Sequence, residues 1–106
     1  MRPDRAIAML DRQLASHGSK VVFARQGAPQ HEARAFVRGY TSEELVGLIE
    51  QADRKLVVSP TSLAGFMPKK KDRVTASGKS GTVEDVDPVE IDGVVVRFNI
   101  RVRLAA

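Results

Sequence analysis

The segment of this chain that most closely matches a chemical motif is 78–82, GKSGT. It corresponds to the end of a phosphate-binding loop, in which glycine, lysine and a hydroxyl residue surround nucleotide phosphates. That loop also requires a glycine five residues before Gly78, where this chain has Arg73, and a helix after it. The residues that follow, VEDV, are typical of a strand. We therefore interpret 78–82 as a hairpin turn.

Residue types that support catalysis or metal binding are few. The chain has no cysteine, which excludes disulfides, thiolate metal sites and cysteine nucleophiles. His17 lies near a predicted helix end, where a cation is favourable, and His31 lies near a loop, with no second ligand or nucleophile at a telling spacing. The remaining candidates are carboxylates on amphipathic segments, Glu43, Glu44, Asp85 and Asp87. Because such charges are usually solvated, we predict a protein that is not an enzyme and uses no cofactor or metal.

One concentrated basic run could contact phosphates, and it consists of Lys69, Lys70, Lys71 and Arg73. Such contact would be independent of sequence and sensitive to salt, because it releases counterions. Proteins that bind single strands normally add exposed aromatic side chains, whereas most of the four Phe and one Tyr here are expected in the core. The run is either a solvated connector or a DNA-facing surface.

The elements that position these residues are organised around the segment 94–104, VVVRFNIRVRL. Apolar and polar residues alternate along it, which is typical of a half-buried strand whose outer face carries Arg97, Arg101 and Arg103. The preceding Asp92-Gly93 is a favoured two-residue hairpin turn. The last third of the chain is therefore predicted to be an antiparallel hairpin with a long final strand.

The register of this hairpin follows from counting back from the turn. This pairs Val89 with Val96. A one-residue bulge near Pro88, which cannot donate to the ladder, then places Asp87 opposite Arg97. The arginine face of the last strand is thus expected to meet an acidic face.

The rest of the chain predicts one long helix and several short strands. Apolar residues recur at helical spacing over 4–17, and Gly18 follows. This apolar stripe is narrow, so either the domain or a neighbouring subunit could cover it. Two strand-like segments flank a loop that contains Gly27 and Pro29 and are expected to form a hairpin. The predicted strands lie within 20–25, 31–40, 54–59 and 73–104, and a short helical turn starts near Pro60.

Segment 41–51 is ambiguous. A capping box of Thr41 and Glu44, with Leu45, Leu48 and Ile49 at helical spacing, favours a helix. Gly47 in the middle and the strand-like segment that follows favour an extended conformation. The sequence leaves both interpretations open.

Length and composition limit the class of protein. At 106 residues the chain is predicted to be a single domain, and its 42% hydrophobic and 28% charged residues indicate neither a disordered nor a membrane protein. Charges near the amino terminus argue against a signal peptide, so we expect a cytoplasmic context. Residues 1–40 and 68–106 carry an excess of Lys and Arg, whereas 41–67 is acidic. This distribution fits head-to-tail contact between copies, contact with nucleic acid, or solubility alone.

Taken together, these segments resemble the small head-tail connector proteins of long-tailed bacteriophages and prophages, also called head-completion, head-closure or head-tail joining proteins. The segments that carry the resemblance are 6–18, 37–40, 45–59, Pro68, 72–74, 82–86 and 95–98. Three positions depart from it. Lys71 and Ala52 stand where similar sequences tend to have Gly before Asp, and Gly81 stands where an aromatic residue is common.

The resemblance implies a small β-barrel with a helix and a long protruding loop. It implies a ring between the portal side of the filled capsid and the tail, with DNA passing through its channel without sequence specificity. Its partners would be the portal or adaptor protein and the tail terminator or tail-tube proteins, and its location the virion neck after assembly in the bacterial cytoplasm. The resemblance also implies that 38–59 is an extended arm that contacts neighbours or the lumen. The arm residues expected to interact are Arg38, Tyr40, Glu43, Glu44, Leu45, Val46, Leu48, Ile49, Arg54 and Lys55.

From the residues and the resemblance together, we predict one α+β domain over 1–106 that is mostly β. It is a small antiparallel barrel or sandwich with an N-terminal helix, and its function is structural. The subunit is expected to be a monomer or weak oligomer until it joins the virion. The alternative is a small barrel that binds nucleic acid through Lys69, Lys70, Lys71 and Arg73 together with the arginine face of the last strand.

Overall fold

The computed structural model describes residues 2–39, 53–63 and 65–104. They form two helices and six strands. These are α1 (Pro3–His17), β1 (Ser19–Ala24), β2 (His31–Gly39), β3 (Asp53–Val58), α2 (Pro60–Leu63), β4 (Arg73–Ala76), β5 (Lys79–Ile91) and β6 (Val94–Leu104). The elements therefore follow the predicted order of an N-terminal helix, a first hairpin and a C-terminal hairpin.

The six strands close into an antiparallel barrel in the order β1-β2-β3-β6-β5-β4. Closure results from the pairing of β1 with both β2 and β4, which places Val22 opposite Glu32 on one side and Thr75 on the other. The predicted class, an α+β domain that is mostly β, is confirmed. Of the two predicted architectures, barrel and sandwich, the chain forms the barrel.

The barrel interior is filled by side chains from every strand, as in other small barrels. The largest fully buried side chains include Phe23, Leu56 and Ile100. On β6 the apolar residues from Phe98 to Leu104 are buried at every second position, as the alternation predicts. Burial of this row is the main reason that the last segment folds as a strand.

Both hairpins of the C-terminal half turn through two residues with positive φ. Asp92 and Gly93 have φ of 51° and 78°, and Ser77 and Gly78 have φ of 52° and 74°. These angles match a type I′ turn, whose twist fits the flanking strands. A hairpin is present here as predicted, but its turn is Ser77-Gly78 rather than 78–82, because Lys79 and the residues after it already belong to β5.

The register of the last hairpin differs from the prediction. Val89 lies opposite Arg97 rather than Val96, and Asp87 lies opposite Asn99 rather than Arg97. The ladder does contain an irregularity, but the extra residue is Val96 on β6 and not a residue near Pro88 on β5. Proline is tolerated in this part of β5 because β4 no longer pairs with it, so its outer edge needs no donor.

The predicted arm over 38–59 was wrong at both ends. Residues 53–58 form β3, which is paired with β2 on one side and β6 on the other, and Arg38 belongs to β2 opposite Lys55. The reason is that Leu56 and Val58 are fully buried in the core, which stabilises a barrel strand over an extended arm. Arg54 and Lys55 are consequently barrel residues. The predicted interaction residues Tyr40, Glu43, Glu44, Leu45, Val46, Leu48 and Ile49, and the choice between helix and extended arm, lie outside the described residues.

Helix α1 is held at its C-terminal end by β2. The Arg34 Nε donates to the carbonyl oxygen of Leu14 at 3.1 Å, and its Nη2 donates to that of Gly18 at 2.7 Å. These bonds satisfy carbonyls that the end of a helix leaves without partners. Gly18 has an ordinary φ of −74°, but a Cβ there would approach the Leu14 oxygen to 2.6 Å. Its glycine is therefore required by close packing rather than by a left-handed turn.

Gly81 gives a direct test of the barrel register. It pairs with Leu104 on β6, and a Cβ at this position would overlap the backbone carbonyl of Arg103. We expect G81A to destabilise the protein by about 1–3 kcal/mol, the usual cost of overpacking. The measurement is the free energy of unfolding in urea.

The matched control for this change is G39A. Gly39 also lies in a barrel strand, but no atom lies within 4 Å of the position that its Cβ would occupy. G39A should unfold at nearly the wild-type urea concentration. Equal stability of the two variants would contradict the described register of β5 and β6.

Candidate interaction surfaces

The predicted basic run borders an open hollow of about 590 Å³, here called the basic hollow. Pairing of β1 with β4 places Ala24 opposite Arg73, which brings the end of β1 beside the run. The hollow is lined by Ala24, Arg25, Gln26, Lys70, Lys71, Asp72 and Arg73. Three of the four predicted DNA-facing residues thus share one surface, while Lys69 is exposed beside it.

Asp72 is the buried residue on which the basic hollow is built. Its carboxylate is only 6% exposed and accepts bonds from Arg25 Nε at 2.9 Å and Arg25 Nη2 at 2.7 Å. The backbone N–H of Lys69 donates to the same carboxylate at 2.8 Å. The hydrogen bonds from Arg25 lower the pKa of Asp72, more than burial raises it. The carboxylate therefore stays charged and fixes the loop 69–72.

Arg25 joins this loop to an aromatic stack. Its Nη2 also donates to the carbonyl oxygen of Met67 at 2.7 Å, and its guanidinium carbon lies 4.8 Å from the centre of the Phe66 ring. The Phe66 ring stacks on His31, with 5.2 Å between their centres, and His31 Nε2 lies 3.0 Å from the carbonyl oxygen of Ser62. His31 thus has packing and hydrogen-bonding partners that give it a structural role.

The other cationic side chains of the basic hollow have no ion-pair partner among the described residues. Lys70, Lys71 and Arg73 are exposed, and none forms an ion pair or side-chain hydrogen bond within the described part of the chain. Lys71 has a φ of 74°, a left-handed conformation that costs a non-glycine residue free energy. This conformation is held by a bond of 2.8 Å from the Lys71 N–H to the carbonyl oxygen of Val83. This is the position where the resembled family tends to have glycine.

Two of the three arginines on β6 bind a second buried carboxylate. Asp53 is fully buried, and its carboxylate accepts bonds from Arg101 Nη1 at 3.0 Å and from Arg103 Nε at 2.8 Å. Arg103 Nη1 lies 3.1 Å from the carboxylate of Glu84, the extra residue of a second ladder irregularity. This part of the arginine face, predicted as an alternative nucleic-acid surface, therefore has a structural role between β3, β5 and β6.

The distal part of the β5–β6 hairpin carries the opposite charge to the basic hollow. β4 pairs with β5 only as far as Thr82, so the later residues of β5 pair with β6 alone. We call residues 85–97 the acidic ribbon. Its exposed carboxylates are Asp85, Asp87, Glu90 and Asp92. None of the four forms an ion pair with a described residue, and Arg97 is the single cation of the ribbon.

An apolar groove of about 320 Å³ separates α1 from the acidic ribbon. Its lining comprises Ala6, Met9, Leu10, Gln13, Val89, Ile91, Val96 and Arg97. Helix α1 buries Leu14 against the domain, whereas Met9 remains 38% exposed. The domain itself therefore covers the C-terminal part of the predicted apolar stripe and leaves its start accessible.

Other predicted site residues have ordinary surroundings. Arg38 is exposed, and its guanidinium carbon lies 5.5 Å from the centre of the Phe36 ring. Arg54 Nη1 donates to the backbone carbonyl of Asp53 at 2.9 Å. Over residues 2–39, 53–63 and 65–104 no three His, Asp or Glu side chains are grouped so as to hold a metal ion. No helix in these ranges is long and apolar enough to cross a membrane.

Sequence reasoning identified the cations but not the residues that organise them. Arg25 ends the predicted strand 20–25 and Asp72 interrupts a basic run, and these are the only local signals of their pairing. Neither a family model nor a curated protein sequence matches this chain. The geometry and the sequence pattern therefore carry the functional inference.

The lowered pKa of Asp72 predicts how the free energy of unfolding depends on pH. Because Arg25 lowers the folded-state pKa of Asp72, the carboxylate stabilises the fold above its unfolded-state pKa of about 4. That stabilisation is lost as the pH falls through the lower, folded-state pKa. We expect D72N to be less stable than wild type at neutral pH, with a difference that shrinks in acid. Urea unfolding at several pH values measures this.

The control is D87N, which removes an exposed carboxylate that has no ion pair among the described residues. Its stability should follow that of wild type across the same pH range. A gap between wild type and D72N that stays constant from neutral pH into acid would contradict the role given to the Arg25–Asp72 pair.

Proposed function

We propose that this protein joins the DNA-filled capsid of a long-tailed phage or prophage to its tail, as part of a ring around the DNA channel. The observation that carries this proposal is the pairing of Gly39 on β2 with Arg54 on β3. The two ends of the described chain on either side of residues 40–52 therefore lie next to each other on the barrel. A closed barrel with an N-terminal helix agrees with the arrangement that the resemblance implies.

The mechanism in this proposal is geometric. The closed strand ladder supplies a rigid body, and the residues between Gly39 and Asp53 supply contacts to the portal or adaptor protein and to the tail terminator or tail tube. A ring built from identical subunits needs two different complementary patches on each subunit. The basic hollow and the acidic ribbon are two separate patches of opposite charge, which supports a ring. DNA would pass through the channel without base-specific contacts.

The surroundings of the titratable groups support a structural role. Asp53 and Asp72 are buried, and each binds arginine side chains that belong to barrel strands or their ends. His31 packs on Phe66 beside the carbonyl of Ser62. Each of these groups therefore has a role in the fold, and none of them faces a cavity as a free acid or base.

Joining can be measured in the phage or prophage that carries the gene. Deleting the gene should leave filled capsids and separate tails, and adding the purified protein to such a lysate should restore joined particles and infectivity. A protein with Leu48→Asp and Ile49→Asp should restore joining at least about tenfold less well, as expected for the removal of an apolar anchor. Electron microscopy and infectious titre give the readout.

The control for the arm variant is R12Q, which changes an exposed residue of α1. R12Q should join capsids and tails as wild type does, and both variants should unfold cooperatively. Normal joining in the deletion, or absence of the protein from purified virions, would contradict the connector function.

Binding of nucleic acid is the second candidate function. The uncommitted cations Lys70, Lys71 and Arg73 favour it, since contact with phosphates needs free positive charge. Two observations count against it. Arg101 and Arg103 bind Asp53, and the rings of Phe23 and Phe98 are buried, so they offer no stacking surface for bases.

A titration with duplex DNA at two salt concentrations tests this second function. It predicts that changing Lys69, Lys70 and Lys71 to Ala weakens binding and lowers the salt slope by about 0.9 for each phosphate that the protein no longer neutralises. The control is K20Q, an exposed lysine on β1 whose partner in the fold is Glu32. Unchanged affinity and slope in the triple variant would exclude nucleic-acid binding through this run.

A further inference from the structure

We propose that the basic hollow binds the acidic tip of the β5–β6 hairpin of a second copy of this chain. The acidic tip consists of Asp87, Glu90 and Asp92. The inference rests on the proposed connector function, in which copies meet in a ring, and it names the two surfaces that meet. Three properties of the molecule carry it, namely the charge of the hollow, the shape of the tip and the distance between them.

The basic hollow retains positive charge because its one carboxylate is already satisfied. Asp72 accepts two bonds from Arg25 and one from the Lys69 N–H, at 2.7 to 2.9 Å. The cations of Lys70, Lys71 and Arg73 then remain around a concave surface. Backbone bonds hold Lys71 at a φ of 74°, where glycine would be more stable.

The acidic tip has the complementary properties. Asp87, Glu90 and Asp92 are exposed and form no ion pair with any described residue. From Glu90 to Val95 the two strands pair with each other and with no third described strand, whereas Asp87 lies opposite Asn99, which also pairs with Val57 on β3. Its type I′ turn fixes the hairpin end, so the carboxylates protrude on a preformed element. Binding such an element costs less ordering entropy than binding a flexible segment.

The tip cannot reach the hollow of its own subunit. Arg73 lies opposite Thr82, and β5 continues as a strand from there to Ile91. Asp87 is therefore about 17 Å and Glu90 about 26 Å further along, at roughly 3.3 Å per residue. Contact between tip and hollow must join two copies through different surfaces. Repetition of such a contact gives a ring if it closes and a filament if it does not.

Zero-length crosslinking with a carbodiimide tests the contact, because this reagent joins carboxylates to amines that already touch. A mixture of ¹⁴N- and ¹⁵N-labelled wild-type protein is crosslinked at high concentration in about 0.01 M salt, where screening is weak. We expect mixed-label peptides that join Lys70 or Lys71 to Asp87, Glu90 or Asp92. Their absence at the highest soluble concentration overturns the proposal.

Two variants, in which charged side chains are replaced by neutral ones, test whether the tip of one copy binds the hollow of another. The tip variant is D87N/E90Q/D92N, and the hollow variant is K70Q/K71Q/R73Q. Because these changes also remove the amines and carboxylates that the carbodiimide joins, the readout for the variants is self-association measured by sedimentation velocity. Each variant alone should lose most self-association, whereas a mixture of the two should give a dimer that does not extend, since one intact tip meets one intact hollow. The matched control for the hollow variant is R5Q/R12Q/K79Q, which removes three exposed positive charges elsewhere. Equal loss in this control, or failure of the mixture to form a dimer, overturns the proposal.

The same variants separate this contact from DNA binding and from the connector function. If the hollow variant loses DNA binding while its self-association is unchanged, the occupant is nucleic acid and the proposal fails. If the tip variant and the hollow variant both restore joining of capsids and tails as well as wild type does, the proposed contact between copies is contradicted. The connector function is then still supported. If the wild-type protein gives the expected crosslinks but does not join capsids and tails, the contact between copies is supported and the connector function is contradicted.

Discussion

The pairing of β1 with β4 is the interaction on which the rest of this structure depends. It involves only four residue pairs, Val21–Ala76 to Ala24–Arg73, yet it converts a six-stranded sheet into a barrel with no free edge at that point. The same pairing brings Arg25 to Asp72 and so builds the basic hollow. Barrel closure and the basic hollow therefore both depend on the pairing of β1 with β4. A substitution that weakens this pairing is expected to destabilise the fold and to disrupt the hollow.

The two buried aspartates decide which positive charges the protein can offer to a partner. A buried carboxylate must be paired with cations, because an uncompensated charge in the interior is very unfavourable. Asp53 forms salt bridges with Arg101 and Arg103, and Asp72 forms one with Arg25. Lys70, Lys71 and Arg73 are left at the surface. The arginine face that dominates the sequence is therefore structural, while the less conspicuous lysines are the better candidates for binding.

The sequence predicted the parts of the fold that depend on local pattern. The alternation over 94–104 predicted β6, Asp92-Gly93 predicted its turn, and helical spacing predicted α1. It could not predict which residue would bulge, since no local turn or breaker residue marks Val96 or Glu84 as the extra residue of the ladder. Arg25 and Asp72 lie 47 residues apart, so their pairing appears only when β1 meets β4. The arm over 38–59 was implied by the family resemblance, whereas the sequence pattern itself predicted a strand over 54–59, which β3 confirms.

The long final hairpin also has a consequence for how the chain folds. β5 and β6 are neighbours in sequence, and hairpins form within about 1–10 μs, whereas Asp53 and Arg103 must close a separation of 50 residues. Barrels with such distant pairings usually fold in milliseconds to seconds. In that interval the outer edge of β5 is open to pairing with another unfolded chain. Its Pro88 and its row of carboxylates hinder such pairing, so the residues proposed to bind a second folded copy also protect the nascent chain from aggregation.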